Sequence, residues 1–161
     1  MKVHKAHFGN VYYPVGINFP RNLPAIKKMA EVISKVYSGK KNIFFWVRGS
    51  SGAIIAATIS ALLTHHCVIN HVKKEGELSH SHNYYYNCID EYSVNIIVDD
   101  FVNTGETISC ILKEYAKYNP DNFIDSIFLV GSMSNDRLAD FRKENKIFLR
   151  VDTTLYVSKV W

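Results

Sequence analysis

The sequence is short of cysteine and of long apolar runs, and each shortage excludes a class of protein. Cys67, Cys88 and Cys110 are the three cysteines among 161 residues. An odd number without CxxC spacing argues against a disulfide framework or a zinc site and is typical of a reducing compartment. No segment approaches the roughly 20 apolar residues of a membrane span, and no apolar stretch follows the basic N-terminus as in a secretory signal. We therefore expect a cytoplasmic location and no membrane partner.

The sequence also lacks repeats, low-complexity tracts and Pro/Gly/Ser-rich linkers. Residues 1–161 are therefore predicted to form a single domain, which suits a chain of this length. The formal net charge is +4, but no basic stripe interleaved with aromatic residues accompanies it, which argues against nucleic acid as a partner. A site for small polyanions explains the positive sign equally well.

What is present is a regular alternation of short apolar runs and amphipathic segments. The predicted strands are 42–47, 67–72, 94–100, 125–131, 146–150 and 154–160. The predicted helices are 22–38, 52–63, 106–118 and 134–145, and 73–83 is predicted to be a long polar loop. This order indicates an α/β fold with a mostly parallel twisted sheet and helices on both faces. In such sheets ligands bind beyond the carboxyl ends of the strands.

One of those ends carries the segment NIIVDDFVNTGET, residues 95–107. Backbone N–H groups at the start of the following helix have no partners within it, so Thr104, Gly105 and Thr107 are suited to cradle an anion. Asp99 and Asp100 accept hydrogen bonds and suit the vicinal hydroxyls of a sugar or a hydrated divalent cation. A phosphorylated sugar offers a phosphate to the helix start and hydroxyls to the acid pair. The alternative is that Asp100 only ends the strand and Thr104 only caps the helix.

A second glycine turn follows the strand at 42–47, in the segment FFWVRGSSGAII, residues 44–55. Its backbone N–H groups, one cation and two hydroxyls form a second predicted anion site: Arg48, Gly49, Ser50, Ser51 and Gly52. The turn is one residue short of the G-x-S-x-G elbow of hydrolases and lacks the lysine of a P-loop. The alternative is that Arg48 is an ordinary surface residue at a strand end.

The segment IIVDDFVNTGET resembles the phosphoribosyl-pyrophosphate (PRPP) signature of the type I phosphoribosyltransferases. The resemblance covers about residues 40–131 and implies their fold, with a small hood built from the chain ends. It implies that Asp99 and Asp100 contact the ribose hydroxyls and reach Mg²⁺ through water or PRPP. It implies that Arg48, with Gly49, Ser50, Ser51 and Gly52, contacts the leaving pyrophosphate. It implies that the 5′-phosphate and the rest of PRPP are bound by Val102, Asn103, Thr104, Gly105, Glu106 and Thr107. A basic pair at the start of the family's flexible loop, Lys73 and Lys74, is expected to contact PRPP as well.

The activity that the resemblance implies is Mg²⁺-dependent transfer of the ribose 5-phosphate of PRPP to a nucleobase, with release of pyrophosphate. A purine base, a role in nucleotide salvage and a homodimer are expected, with a nucleoside 5′-monophosphate as product. Tyr156 and Trp161 are predicted to supply a face on which the base stacks. The alternative is a member of the same fold that binds PRPP or a nucleotide without turnover, as a regulator or an RNA-binding protein.

Three residues depart from the family's pattern. Phe101 is bulkier than the usual aliphatic residue. Asn103 stands where the 6-oxopurine enzymes carry an aspartate proposed to handle the base proton, and an amide cannot act as that base. Glu106 places a negative side chain beside the predicted phosphate. These departures leave turnover and the acceptor base open.

Overall fold

The computed structural model describes residues 1–5, 19–73, 85, 89–100 and 104–160. In these ranges the chain forms six strands and four helices. The strands are β1 Lys2–Lys5, β2 Asn42–Val47, β3 His66–His71, β4 Ser93–Asp99, β5 Ser126–Met133 and β6 Thr154–Val160. The helices are α1 Phe19–Val36, α2 Ser50–Leu62, α3 Glu106–Tyr118 and α4 Asn135–Glu144.

The six strands form one sheet in the order β1-β6-β5-β4-β2-β3. All five neighbouring pairs are parallel. The chain therefore places β3 outside β2, crosses back to put β4 on the other side of β2, and then continues outward through β5 and β6. This arrangement confirms the predicted α/β fold, and it puts the reversal of strand order between β2 and β4.

Helices cover both faces of the sheet because the strands present apolar side chains on both. One buried cluster joins the apolar stripe of α1, including Ile26, Met29 and Ile33, to α2. The opposite cluster joins α3 and α4 to the other face, with Ile111 and Phe141 among its members. The stripes recur every three or four residues, as expected for helices that bury one side.

A buried hydrogen bond joins the end of β2 to the first half of β4. The indole Nε1 of Trp46 donates to Oδ1 of Asn95 at 3.0 Å, and both residues are at most 5% exposed. A buried polar group left without a partner costs about 1–3 kcal/mol, so this pair favours the observed register. The pair lies two residues before Arg48 and four before Asp99.

The predicted segments agree with the structure except near three positions. Helix α1 begins at Phe19 rather than at Asn22, because Pro20 is tolerated in a first turn, where its missing N–H has no partner to lose. The predicted strand 146–150 is wrong: these residues form a turn and an irregular segment in which Ile147 is 77% exposed. Strand β1 was not predicted. It is only four residues long.

The chain ends contribute to the main sheet where they are described, since β1 and β6 are its strands. The predicted hood segments, 1–21 and 132–161, also include α4, which packs on one face of the main sheet, and residues 6–18 and Trp161, which lie outside the described residues. The predicted long loop also lies mostly outside them.

Candidate functional site

The two glycine turns predicted to bind anions follow neighbouring strands. β2 pairs with β4 in parallel up to Trp46 and Ile97, so Arg48 and Asp99 emerge side by side at the carboxyl edge of the sheet. The strand order reverses between these two strands. Parallel sheets bind ligands in the crevice that opens at such a reversal. The structure therefore brings both predicted turns to one crevice.

The turn after β2 has the backbone that an anion cradle needs. Gly49 adopts φ 84° and ψ 169° and is the N-cap residue of α2, a conformation that is open to glycine and strained for other residues. No acidic side chain lies in the first turn of α2. The positive end of this helix thus faces the crevice without an internal counter-charge, which favours an anionic ligand.

One N–H group of the Arg48 side chain is available to donate a hydrogen bond to a ligand. Its Nε is buried and, among the described residues, makes no hydrogen bond. Arginine presents several N–H groups in a planar fork that matches phosphate oxygens. Ser50 beside it is exposed and Ser51 is half-buried, so both hydroxyls stand near the same helix start. This set is suited to hold a pyrophosphate group.

Gly52 brings α2 against the end of β4. A Cβ built on Gly52 would lie 3.0 Å from the carbonyl oxygen of Val98 and 3.3 Å from Cβ of Val47. Only a residue without a side chain permits this approach. Gly52 was predicted to bind substrate, and the structure gives it a definite packing position. It holds the first turn of α2 beside the residue that precedes Asp99.

The turn after β4 begins α3 and has a different electrostatic character. Gly105 adopts φ 81° and ψ −3°, the left-handed region, and is the N-cap residue of the helix. The N–H of Glu106 donates to Oγ1 of Thr104 at 3.3 Å. Thr104 and Glu106 are exposed, and Thr107 is half-buried. The amides of this helix start suit a phosphate, while the carboxylate of Glu106 offsets part of the positive field.

The acid pair consists of two carboxyls in unlike surroundings. Asp99 is 5% exposed and its Oδ1 accepts the N–H of Asp100 at 2.9 Å. Burial, and then the neighbouring charge of Asp100, raise the pKa of Asp99 to about 8. Asp100 is half-buried. Asp99 therefore keeps its proton over much of the neutral range, and hydroxyl donors or a cation would favour its ionised form.

The structure describes only some of the remaining predicted site residues. Lys73 is half-buried and lies two residues after the end of β3, the strand next to β2. Lys74, Val102 and Asn103 lie outside the described residues, as do Phe101 and Trp161. The prediction that Tyr156 offers a free stacking face is wrong. Its ring stacks on Phe128 with centroids 4.2 Å apart, and the residue is 8% exposed.

The donor set at the crevice fits Mg²⁺ only through water or through a bound phosphate. Mg²⁺ usually keeps several waters and takes one or two carboxylates together with substrate phosphates, and Asp99 and Asp100 supply two. Nowhere in the described part of the chain do three His, Cys, Asp or Glu side chains gather closely enough to hold a metal by themselves. The pair is thus compatible with the predicted indirect role.

Comparison with solved structures identifies the fold. The adenine phosphoribosyltransferase of Saccharomyces cerevisiae, complexed with an imino-altritol bisphosphate and adenine, superposes with a TM-score of 0.57 at 19% identity over 88% of this chain and 82% of that one. The enzyme of the same name from Thermoanaerobacter pseudethanolicus superposes with a TM-score of 0.53 at 20% identity over the same shares. The chain has the type I phosphoribosyltransferase fold. No family model matches the sequence, and no curated protein matches it.

Two features of this phosphoribosyltransferase fold were not anticipated from the sequence. The packing position of Gly52 follows from contact with a neighbouring strand, which spacing alone does not reveal. A basic cleft at the opposite edge of the sheet was missed because residues 146–150 were assigned to a strand.

Among the described helices, none is both long enough and apolar enough to cross a bilayer.

Proposed function

We propose that the protein is a nucleobase phosphoribosyltransferase that transfers the ribose 5-phosphate of PRPP to a purine and releases pyrophosphate. The observation that carries this proposal is the contact between Gly52 and the carbonyl of Val98. It sets the start of α2 beside the end of β4, so that two positive-φ glycine turns, each opening a helix, flank the acid pair. One phosphate cradle on each side of a sugar-binding pair matches the three parts of PRPP.

In the proposed reaction the bond between the anomeric carbon and the pyrophosphate oxygen breaks. A bond from a ring nitrogen of the base forms on the opposite face, and the base releases its N–H proton to solvent. Asp99 and Asp100 orient the ribose through its hydroxyls. Arg48 and the amides of Ser50 and Ser51 stabilise the negative charge on the departing pyrophosphate. Bound Mg²⁺, held indirectly by the acid pair, would further neutralise the pyrophosphate.

Adenine is the acceptor that we place first. The two superposed enzymes are adenine phosphoribosyltransferases by name. Asn103 offers no carboxylate for the proton of a 6-oxopurine, and the adenine enzymes lack an acid at that position according to the resemblance. The same proposal includes a nucleotide-salvage role, a cytoplasmic location and a homodimer.

The test is pyrophosphate release from Mg²⁺-PRPP in the presence of adenine, hypoxanthine, guanine or xanthine in turn. We expect base-dependent release with adenine and a large loss of rate in Asp100→Asn. Reactions without base measure hydrolysis of PRPP by water and serve as the control. The absence of release with every base, from protein that binds PRPP, would refute the transferase.

That last outcome would support the second candidate, a binding protein of the same fold that has lost turnover. Glu106 favours it, because its exposed carboxylate stands in the first turn of α3, beside the predicted 5′-phosphate. Binding of PRPP or a nucleoside 5′-monophosphate without turnover is the expected behaviour of such a regulator.

A further inference from the structure

A cleft of about 440 Å³ lies at the amino edge of the sheet, opposite the crevice described above. Met1 directly precedes β1, and Arg150 lies four residues before β6, so both sit where strands begin. The crevice with Asp99 lies where β4 ends. β4 has seven residues, and at about 3.3 Å per residue the strand separates the two edges by about 20 Å. The lining residues are Met1, Arg142, Lys146, Leu149, Arg150 and Val151.

The charged half of the lining is entirely basic. It comprises Arg142, Lys146 and Arg150, and no acidic side chain is among the described residues that line the cleft. Among described residues neither Arg142 nor Lys146 forms an ion pair, whereas other cations of the chain do. Three like charges around one cleft repel each other until an anion enters. The cleft therefore favours a ligand with more than one negative charge.

Arg150 is held in position before any ligand arrives. Its guanidinium lies over the ring of Phe123, 5.1 Å from the centroid, and its Nε is 3.7 Å from Oδ1 of Asp152. Its backbone N–H donates to Oγ1 of Thr153 at 3.1 Å. A guanidinium fixed on an aromatic face loses less freedom when it binds phosphate. Asp152 pairs with Arg150 and Asp125 interacts with it electrostatically, so the charge of Arg150 is partly balanced and the cleft keeps a net positive charge.

The other half of the lining is apolar: Met1, Leu149 and Val151. Val151 is 86% exposed, so its methyl groups stay in water unless something covers them. The volume falls within the range of sites for small molecules. The complementary ligand is small and anionic and has an apolar part.

We propose that this cleft is a second binding site, for free nucleotides, with the phosphates on Arg142, Lys146 and Arg150 and the base against the apolar wall. It is independent of the proposed transferase activity, since it shares no residue with the crevice. ATP in the absence of magnesium is the probe. Amide NMR spectra of isotope-labelled protein locate binding residue by residue, at physiological salt.

We expect ATP to shift the amide signals of residues 146–151 in a saturable manner. Lys146→Ala removes one charged phosphate contact and should weaken this binding about tenfold. Lys143→Ala is the matched control, because Lys143 is an exposed cation in the last turn of α4, three residues before Lys146, and does not line the cleft. It should leave the affinity unchanged. Arg48→Met should also leave the response of residues 146–151 intact, which separates this site from the crevice.

Two results with ATP would overturn the proposal. One is the absence of shifts at residues 146–151 up to millimolar ATP. The other is an equal effect of Lys146→Ala and Lys143→Ala, which would indicate attraction to net charge alone. Inorganic tripolyphosphate tests the apolar half. It should bind more weakly than ATP, because it lacks an apolar part. Val151→Ser should reduce the difference between the two affinities, because it removes part of the apolar wall. Equal binding of the two probes would refute a nucleotide as the ligand.

Discussion

Asp99 combines an ionisable group with almost complete burial, and this has a consequence for stability. Its pKa in the folded protein is about 8, against an ordinary value of 3.8. Between these values the folded state holds a proton that the unfolded state has released. The free energy of unfolding therefore falls as pH rises through this window and levels off above about pH 8.

We predict that Asp99→Asn removes this decline. The variant should match the wild type near about pH 4 and exceed its free energy of unfolding by roughly 2–5 kcal/mol near about pH 8, since one pKa unit corresponds to about 1.4 kcal/mol. Urea denaturation across this range measures it. Asp100→Asn is the control and should keep most of the decline, because the burial of Asp99 raises its pKa more than the charge of Asp100 does. Parallel curves for wild type and Asp99→Asn would contradict the assigned pKa.

Asn103 is the residue that separates classes of acceptor base. We predict that the wild type is slow with hypoxanthine, guanine and xanthine, and that Asn103→Asp speeds them by about 10² to 10⁴ by restoring a proton acceptor. PRPP affinity should hardly change, and adenine turnover should not improve. Initial rates with all four bases decide the matter. A wild type already fast on guanine, or a variant inert on every base, would refute this reading of the position.

At the scale of elements, the contact of α2 with the sheet sets the geometry of the crevice. We predict that Gly52→Ala lowers the free energy of unfolding by about 1–2 kcal/mol, because a Cβ against backbone at 3.0 Å overpacks the site by more than alanine's better helix propensity returns. It should also weaken PRPP binding several-fold by displacing the start of α2. Denaturation and calorimetric titration measure the two effects.

Gly39→Ala is the matched control for that substitution. Gly39 has open space around its Cβ position and no positive φ, so stability should change little or rise. A stable Gly52→Ala variant with normal PRPP binding would indicate that α2 moves freely against β4.

The strands and helices could be predicted from the sequence wherever one side of the chain is buried. The stripe of α3, from Ile108 to Tyr115, and the run of β4 both carry strong periodic signals, and their bounds agree within one residue. The same reasoning wrongly predicted a strand at residues 146–150, because Ile147, Phe148 and Leu149 form a short apolar run typical of strands. The local pattern cannot reveal that Ile147 points to solvent and that no neighbouring strand is there to pair.

At the scale of the whole molecule, a ligand that binds only the folded state stabilises all of it. We predict that Mg²⁺-PRPP raises the melting temperature: saturation at about 100 times Kd adds about 2.7 kcal/mol, or roughly 5–10 °C for a chain of this size. Thermal scans with Mg²⁺ alone and with ribose 5-phosphate provide the controls. No shift at millimolar PRPP with magnesium would contradict binding at the crevice.

The molecule as a whole was predictable to the level of its sheet but not to its ligand preferences. Alternation of strands and helices gave the parallel layout, and the turns at Arg48 and Gly105 fell on the correct edge. The unequal burial of Asp99 and Asp100 depends on how α2 and β4 pack. The basic cleft brings together Met1 and Arg150, which are distant in sequence. Local sequence spacing cannot predict such a contact.

The pairing of β1 with β6 bears on how the chain is made. In the described sheet β1 adjoins β6 alone, with Lys2 opposite Thr154. A ribosome releases the first strand about 150 residues before its partner exists, at roughly 5–20 residues per second. Until β6 is made, β1 has no partner in the described sheet, and β5, once formed, lacks its neighbour on that side. Completion of the fold therefore waits for the last strand to emerge, and contacts so distant in sequence make the final closure slow.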